Sequence, residues 1–455
     1  MKCIIIGAGK VGFSIAQLLS SEDHDVTIIE NNEARQKVIS DVLDVEVVNG
    51  SGASWSVLES AGVKRANMVV AVTESDELNM IACLLAKQYG VKTTVARVRN
   101  TDYVTTPHFS PEALLGIDLI INPEQVTAME IAKIVRNPEA LNVDFYAEGK
   151  VQLVELPIEA DSPVTGQKIR ELPNDVPFNI VAVEAVNRQH DMQIPGGDYV
   201  IQAGDHIYLL GRTSDIPRIE KALHIYHRKI EHLTILGGGR TGYHLAHLLE
   251  KQKVPINIKI IEKDPKKAQE VSENLNHTLV INGDGSDMDL LEEENIRQSD
   301  MLVAVTDDDK INLLSSLMGK NMGIPKTIVK IKRLDVLPII EKLDIDIVFN
   351  PRVLTAGVIL KYIRRGDIIS VTVLGEERAE MIELYVQVDS IAVNKKLKDI
   401  RFPGGSIIGA IVRGNEVIIP GGDSEIHAAD RLLVFALPRS IHKVEKLFVS
   451  GGKKK

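Results

Sequence analysis

The chain has 455 residues, 44% of them hydrophobic and 25% charged, a length that suits several globular domains. A formal net charge of −10 excludes the basic surface of a nucleic-acid binder and is too mild for a disordered chain. Cys3 and Cys83 are the two cysteines, so no disulfide framework is implied and a reducing cytosol is the expected compartment.

The opening stretch, "MKCIIIGAGK", is not a signal peptide, because its apolar run is short and meets a glycine loop where a cleavage site would fall. No stretch approaches the roughly 18 apolar residues that span a bilayer. A soluble protein is expected, with no direct membrane insertion. Short apolar runs predict strands near 2–6, 26–30, 45–48, 68–72, 94–98 and 117–121, and amphipathic runs predict helices near 10–20, 33–41, 54–61 and 77–89. That alternation implies an α/β domain with a doubly wound parallel sheet of Rossmann type. Asn-Pro opens a further helix near 123–137, where Pro123 suits the first turn. A segment alternating in period two follows, broken by Pro and Gly and carrying "IPGGD" at 194–198. It reads as a small, mostly antiparallel α+β lobe, with "IPGGD" as a turn.

The whole plan then repeats. "IIIGAGKVGFSIAQLL" returns as "TILGGGRTGYHLAHLL", "VTIIE" as "IKIIE", "VVNGSGAS" as "VINGDGSD", "VVAVTESDELN" as "LVAVTDDDKIN", "VARVR" as "IVKIK", and "IINPEQVTA" as "VFNPRVLTA". A second helix is expected near 351–365 and a second small lobe carries "IPGGD" at 419–423. Asp205 and Asp430 precede the last strand of each small lobe. The expected domains are 1–122 (nucleotide lobe 1), 123–140 (linker helix), 141–226 (small lobe 1), 230–350 (nucleotide lobe 2), 351–366 (linker helix), 367–450 (small lobe 2) and 451–455 (a frayed tail).

Gly7, Gly9 and Gly12 fit G-x-G-x-x-G. The first permits the tight turn leaving the strand, the second lets backbone approach a pyrophosphate, and the third lets helix and strand pack closely. The helix opening there offers free N–H groups to phosphates. Glu30 ends the next strand 18 residues after Gly12, where a carboxylate accepts from ribose hydroxyls and repels a 2′-phosphate. NAD or ATP is therefore favoured over NADP. Copy two supplies Gly237, Gly239, Gly242 and Glu262, with Arg240 where copy one has Lys10. Either copy two binds as well or it is a former site kept for packing. Thr73 and Thr306 follow the fourth strand, as ligand contacts, as helix caps, or as both. Arg97 and Arg99 end the fifth strand and point to the same side, with Lys330 and Lys332 as their counterparts in copy two, either near phosphates or in surface ion pairs. Gly50 and Gly283 read as tight turns rather than as backbone approaching a ligand, and Asp284 stands where copy one has Ser51. Trp55 and Met80 are expected in the core, and "HIYHRKIEH" on the surface between lobes.

A dehydrogenase needs an acid or base beside its nicotinamide, and no His or Lys stands in equivalent places near both loops. There is no H-E-x-x-H, paired C-x-x-C, G-x-x-x-x-G-K-[ST] or G-x-S-x-G. Two full cofactor domains, each with the same small lobe, suit a sensor rather than an enzyme. An NAD-dependent dehydrogenase and a ligand-independent scaffold on a membrane transporter are the rival readings.

Together "GAGKVG", "VVAVTESDELNMIACLLA", "VARVR", "INPEQ", "FYAEGKVQLVE", "GGGRTG", "VAVTDDDKIN" and "SIIGAIVRGNEVIIPGGD" resemble the TrkA family of Trk potassium uptake systems, built from tandem RCK (KTN) domains. The resemblance covers nearly the whole chain. It implies a cytoplasmic, peripheral regulator on the inner face of the cell membrane, docked on a potassium-translocating subunit of TrkH or TrkG type. It also implies a ring, with a homotetramer expected, and NAD(H) and ATP or ADP in the nucleotide lobes altering channel opening. Carried onto this chain, the first site is Gly7, Ala8, Gly9, Lys10, Val11, Gly12, Glu30, Thr73, Glu74 and Arg97. The second is Gly237, Gly238, Gly239, Arg240, Thr241, Gly242, Glu262, Thr306, Asp307 and Lys330. No catalytic residue and no metal ligand is implied, and which nucleotide each site prefers stays open.

Overall fold

The structure is a computed structural model that describes the chain except residues 22–23, 101–102, 104–113, 137, 139–141, 174–176, 186–190, 224–229, 334–339, 341–342, 344, 364–367, 375–378 and 449–455. The 451–455 tail and most of "HIYHRKIEH" lie outside the described residues.

The chain divides into two compact units. One joins Met1–Ala132 to Ile230–Leu360, and the other joins Lys133–Lys229 to Lys361–Lys455. Nucleotide lobe thus groups with nucleotide lobe and small lobe with small lobe, although the sequence alternates them.

In the first nucleotide lobe the described elements are β1 (Lys2–Ile6), α1 (Lys10–Ser21), β2 (Asp25–Glu30), α2 (Glu33–Val42), β3 (Glu46–Asn49), α3 (Trp55–Ser60), β4 (Met68–Ala71), α4 (Asp76–Gln88), β5 (Thr93–Arg97), β6 (Leu119–Ile121) and α5 (Pro123–Arg136). Every strand pairing is parallel, in the order β3-β2-β1-β4-β5-β6. This is the doubly wound order, whose switch point lies between β1 and β4. The central strands are apolar because helices cover a parallel sheet on both faces, and Ile4, Ile6, Val69 and Ala71 lie in its core. Local chemistry starts the helices. The Ser75 hydroxyl accepts from Leu78 N–H ahead of α4, and Asp76 and Glu77 favour its positive end. Asn122 Oδ1 accepts from Glu124 and Gln125 N–H at 3.0 and 3.1 Å, so the Asn of Asn-Pro caps α5 and Pro123 gives its first turn.

The small lobe after it has β7 (Asn142–Tyr146), β8 (Val151–Pro157), β9 (Phe178–Ala185), β10 (Asp191–Gln193), β11 (Asp205–Arg212) and α6 (Ile216–Ala222). Its sheet is antiparallel, in the order β10-β9-β11-β8-β7. The α+β lobe expected from the period-two pattern is present.

Copy two repeats both plans. Its nucleotide lobe has β12 (His232–Leu236), α7 (Arg240–Lys251), β13 (Asn257–Glu262), α8 (Pro265–Asn274), β14 (Thr278–Asn282), α9 (Met288–Glu293), β15 (Met301–Ala304), α10 (Asp309–Asn321), β16 (Lys326–Lys330), β17 (Ile347–Phe349) and α11 (Pro351–Ile363). The parallel order is β14-β13-β12-β15-β16-β17. Its small lobe has β18 (Ile368–Leu374), β19 (Ala379–Tyr385), β20 (Lys395–Lys396), β21 (Ser406–Arg413), β22 (Glu416–Ile418), β23 (Glu425–Ile426), β24 (Arg431–Ala436) and α12 (Ile441–Phe448). The main sheet runs β18-β19-β24-β21-β22, and β20 pairs with β23.

The two small lobes share one core. Leu153, Tyr208 and Leu210 of the first pack in a single cluster with Met381, Leu433 and Phe435 of the second. Each such side chain, fully buried, contributes about 1.5–3 kcal/mol, so the pair is held mainly by apolar burial. Arg212 Nη2 adds a bond to the Val417 carbonyl at 2.7 Å, and Asn179 Nδ2 one to the Gly409 carbonyl at 2.9 Å.

One core expectation is corrected. Trp55 is 51% exposed, its ring edge-on to Tyr89 at 5.2 Å, because the first position of α3 faces outward. Met80 is half-buried against the lobe core.

Candidate functional site

The crevice at the carboxyl ends of β1 and β4 collects most of the first candidate set. Gly7 leaves β1 with φ +95°, and its N–H donates to the Ile29 carbonyl at 2.9 Å. A Cβ there would lie 2.8 Å from Thr73 Cγ2, so a side chain is refused by both conformation and space. A Cβ on Gly12 would lie 1.9 Å from the Gly7 carbonyl oxygen, which is the close helix–strand packing expected of the third glycine. Gly9 differs, since a Cβ there would meet nothing within 4 Å. Neither contact nor positive φ calls for glycine at that position. Lys10 and Val11 open α1.

Glu30, 4% exposed, sits under this loop. Its Oε2 accepts from Ala8 N–H at 2.7 Å, and its Oε1 from Asn31 and Asn32 N–H, both at 2.9 Å. These backbone hydrogen bonds tie the loop to the end of β2.

Across the crevice Thr73 is not the cap of α4; that part belongs to Ser75. Thr73 N–H and Oγ1 donate to Asn79 Oδ1 at 2.9 and 2.7 Å, while Asn79 Nδ2 donates to the Thr73 and Arg97 carbonyls at 3.2 and 2.8 Å. Asn79, fully buried, bolts the end of β4 to the end of β5. Sequence reasoning passed over it, although both copies of the "VAVT" block end on this Asn. Arg97 Nη1 donates to the Thr73 carbonyl at 3.0 Å, and its buried Nε has no hydrogen-bond partner. Burial lowers its pKa. Arg99 takes the ion-pair role, with Nε 2.9 Å from Glu124 Oε1. Glu74 is exposed beside this turn.

Lobe two has the same frame. Gly237 has φ +103°, a Cβ on Gly242 would lie 2.0 Å from the Gly237 carbonyl oxygen, and one on Gly239 would meet nothing within 4 Å. Glu262 Oε2 accepts from Gly238 N–H at 2.7 Å, and a Cβ on Gly238 would press on Glu262 Cβ at 3.1 Å. Arg240 and Thr241 open α7. Asp308 caps α10, and Thr306 is held by Asn312 as Thr73 is by Asn79. Lys330, 5% exposed, ends β16 with Nζ 3.8 Å from Asp307 Oδ1, and burial lowers its pKa. Lys332 holds Asp307 more closely, at 3.0 Å; burial opposes that carboxylate, yet the lysines keep its pKa below the ordinary value. Gly50 and Gly283 are turns pressed on the following helices, with Cβ positions 2.6 Å from Val57 Cγ2 and 2.3 Å from Leu290 Cδ2. Asp284 pairs with Lys263 at 2.6 Å, an ion pair for which Ser51 offers no equivalent.

The rims of the two lobes influence each other. Glu124, at the start of α5, acts electrostatically on Lys330 and on His244 of α7, and Asp307 acts on Arg99. Among the described residues, no helix is long and apolar enough to cross a membrane.

Comparison with known proteins follows this duplication. The TrkA-N domain family matches residues 3–123 and 233–351, and the TrkA-C domain family matches 153–224 and 381–449. The chain is 39% identical over 458 residues to Trk system potassium uptake protein TrkA homolog 1 of Methanosarcina mazei, covering 98% of this chain and 100% of that one. It is 36% identical to the Trk system potassium uptake protein TrkA of Halomonas elongata, over 99% of each chain. Among solved structures, the GsuK channel bound to NAD aligns with a TM-score of 0.64 at 18% identity, covering 98% of this chain and 78% of that one. The crystal structure of the GsuK RCK domain gives 0.62 at 17%, covering 98% and 94%, a likeness of fold. With both domain types matched twice and full-length relatives this similar, the chain belongs to the TrkA family of Trk-system potassium uptake proteins.

Proposed function

We propose that this chain is the nucleotide-sensing regulatory subunit of a Trk-type potassium uptake system. It acts on a membrane potassium-translocating partner of TrkH or TrkG type and performs no catalysis. NAD(H) and ATP or ADP occupy the crevices beside Gly7–Gly12 and Gly237–Gly242. The observation that carries this is the middle glycine of each loop. A Cβ on Gly9 or Gly239 would meet nothing within 4 Å, in a fold where Gly7, Gly12, Gly237 and Gly242 are demanded by contact. A ligand backed against the loop supplies the missing reason. Glu30 and Glu262 then face ribose hydroxyls, and the half-buried Arg97 and the buried Lys330 face negative charge. The family membership supports the potassium role, and the GsuK channel, which shares the fold, has been solved bound to NAD.

Nucleotide shifts the shape of the paired lobes only by its differential affinity for the two shapes. Coupling of about 1–3 kcal/mol per site is typical, so several sites in a ring reach the roughly 5.5 kcal/mol that converts mostly closed to mostly open. The ring is a homotetramer on the cytoplasmic face of the membrane. Calorimetric titration of the purified chain with NADH, NAD, ATP and ADP tests the reading. Saturable binding without turnover is expected. Gly9→Asp sets a carboxylate against the phosphates and removes the first site alone, and Gly239→Asp removes the second. Native-like binding in both variants overturns the assignment, and binding of none of the four nucleotides favours a scaffold.

A further inference from the structure

The sheets of the small lobes differ at one set of facing charged positions. In copy two, Glu383 pairs in register with Leu433, and Arg431, two residues earlier on β24, pairs with Val412. Arg431 Nε sits 2.7 Å from Glu383 Oε1 and Nη1 reaches Glu148, so a fixed guanidinium neutralises the carboxylates. In copy one the same register holds Glu155 opposite Tyr208, and His206 opposite Glu184. The permanent cation has become an imidazole, and an apolar position has become a second carboxylate that is 6% exposed.

We infer that Glu155, Glu184 and His206 form a binding site for one divalent cation of the zinc class. One donor atom from each residue lies within 4.8 Å of the others, and His206 Nδ1 is 3.1 Å from Glu155 Oε1. Metal–ligand distances of about 2.1 Å put tetrahedral donors about 3.4 Å apart, so rotamer adjustment closes the set. Two carboxylates match the charge of a divalent ion, which takes the place of the arginine in the other copy. The imidazole nitrogen selects zinc over magnesium or calcium, which prefer all-oxygen sites. The His206 side chain is 24% exposed, leaving a way in. Tyr208 donates to Glu184 at 3.3 Å beside the site and belongs to the core that joins the small lobes. A bound ion clamps β8, β9 and β11 together on that face.

The three residues belong to the small-lobe unit and none is in either nucleotide loop, so the test does not depend on nucleotide binding. The full chain is stripped with a chelator, exposed to Zn²⁺, passed through gel filtration and assayed for metal, with Co²⁺ absorption as a second readout. One zinc per chain is expected. His206→Arg and Glu184→Val, which copy Arg431 and Val412, should each weaken binding by about 100-fold or more while thermal melting stays native-like. Gly9→Asp should leave zinc retention unchanged. Failure of the native chain to retain zinc, or retention undiminished in both folded variants, overturns the proposal.

Discussion

The two nucleotide lobes agree where the fold is held and differ where a ligand would meet them. Asn79 and Asn312 both accept from the threonine N–H at 2.9 Å, and both reach across to the carbonyl that ends the next strand, at 2.8 and 2.9 Å. The first glycine of each loop has positive φ, and the third is pressed on the first. The rims diverge. Arg97 donates to a backbone carbonyl, whereas Lys330 makes a long contact, 3.8 Å, to Asp307. Glu124 opens α5 in an ion pair with Arg99, whereas Arg352 opens α11 and donates to the Lys332 carbonyl. Frame residues answer to each other and change little without loss. On the proposed function the rim residues answer to a ligand, which would free the copies to part there.

The strongest way to break this comparison is Gly12→Ala. Its Cβ must push the Gly7 carbonyl, a backbone atom that cannot swing aside. A loss of about 3 kcal/mol or more is expected in denaturant unfolding, and the same from Gly242→Ala. An alanine at either position without cost would show that the tight packing is not needed. Next come Asn79→Ala and Asn312→Ala, each leaving buried backbone groups unpaired at a cost of about 2 kcal/mol. Equal losses sharpen the claim of a common frame, and a clear inequality breaks it. The smallest effect concerns acid. Burial works against the Glu124 carboxylate, but the Arg99 hydrogen bond holds its folded pKa below the ordinary value. Its contribution is therefore present above the unfolded carboxylate pKa and fades as pH falls through the lower folded one. Glu124→Gln should flatten the acid limb of the stability–pH curve, and Arg352→Gln should leave that limb unchanged. An acid limb unaltered by Glu124→Gln would remove this asymmetry.

Much of the architecture was legible because two copies of one pattern check each other. Strand starts, the Asn-Pro helices and the glycine fingerprint come from local chemistry: apolar runs for buried parallel strands, an amide cap before a proline, a turn that only glycine enters. The misreadings came from residues whose role depends on a neighbour distant in sequence. Trp55 looks like core by composition, yet the way α3 lies on the sheet turns it outward onto Tyr89. For Thr73, left open between helix cap and ligand contact, the cap is excluded because Ser75 takes that part and Asn79 holds the threonine.

By itself the amino-acid sequence determined the fold class, the duplication, the loop geometry and the acid that ends each second strand, since these rest on short-range sterics and hydrophobic periodicity. Tertiary structure alone decided that like lobes group with like, the small lobes through a shared apolar core that no period reveals. It also decided that Glu124 and Lys330 of different lobes feel one another, and that Glu155, Glu184 and His206 meet on one sheet face. Such meetings depend on which strands are neighbours and in what register, and a linear pattern does not carry that information.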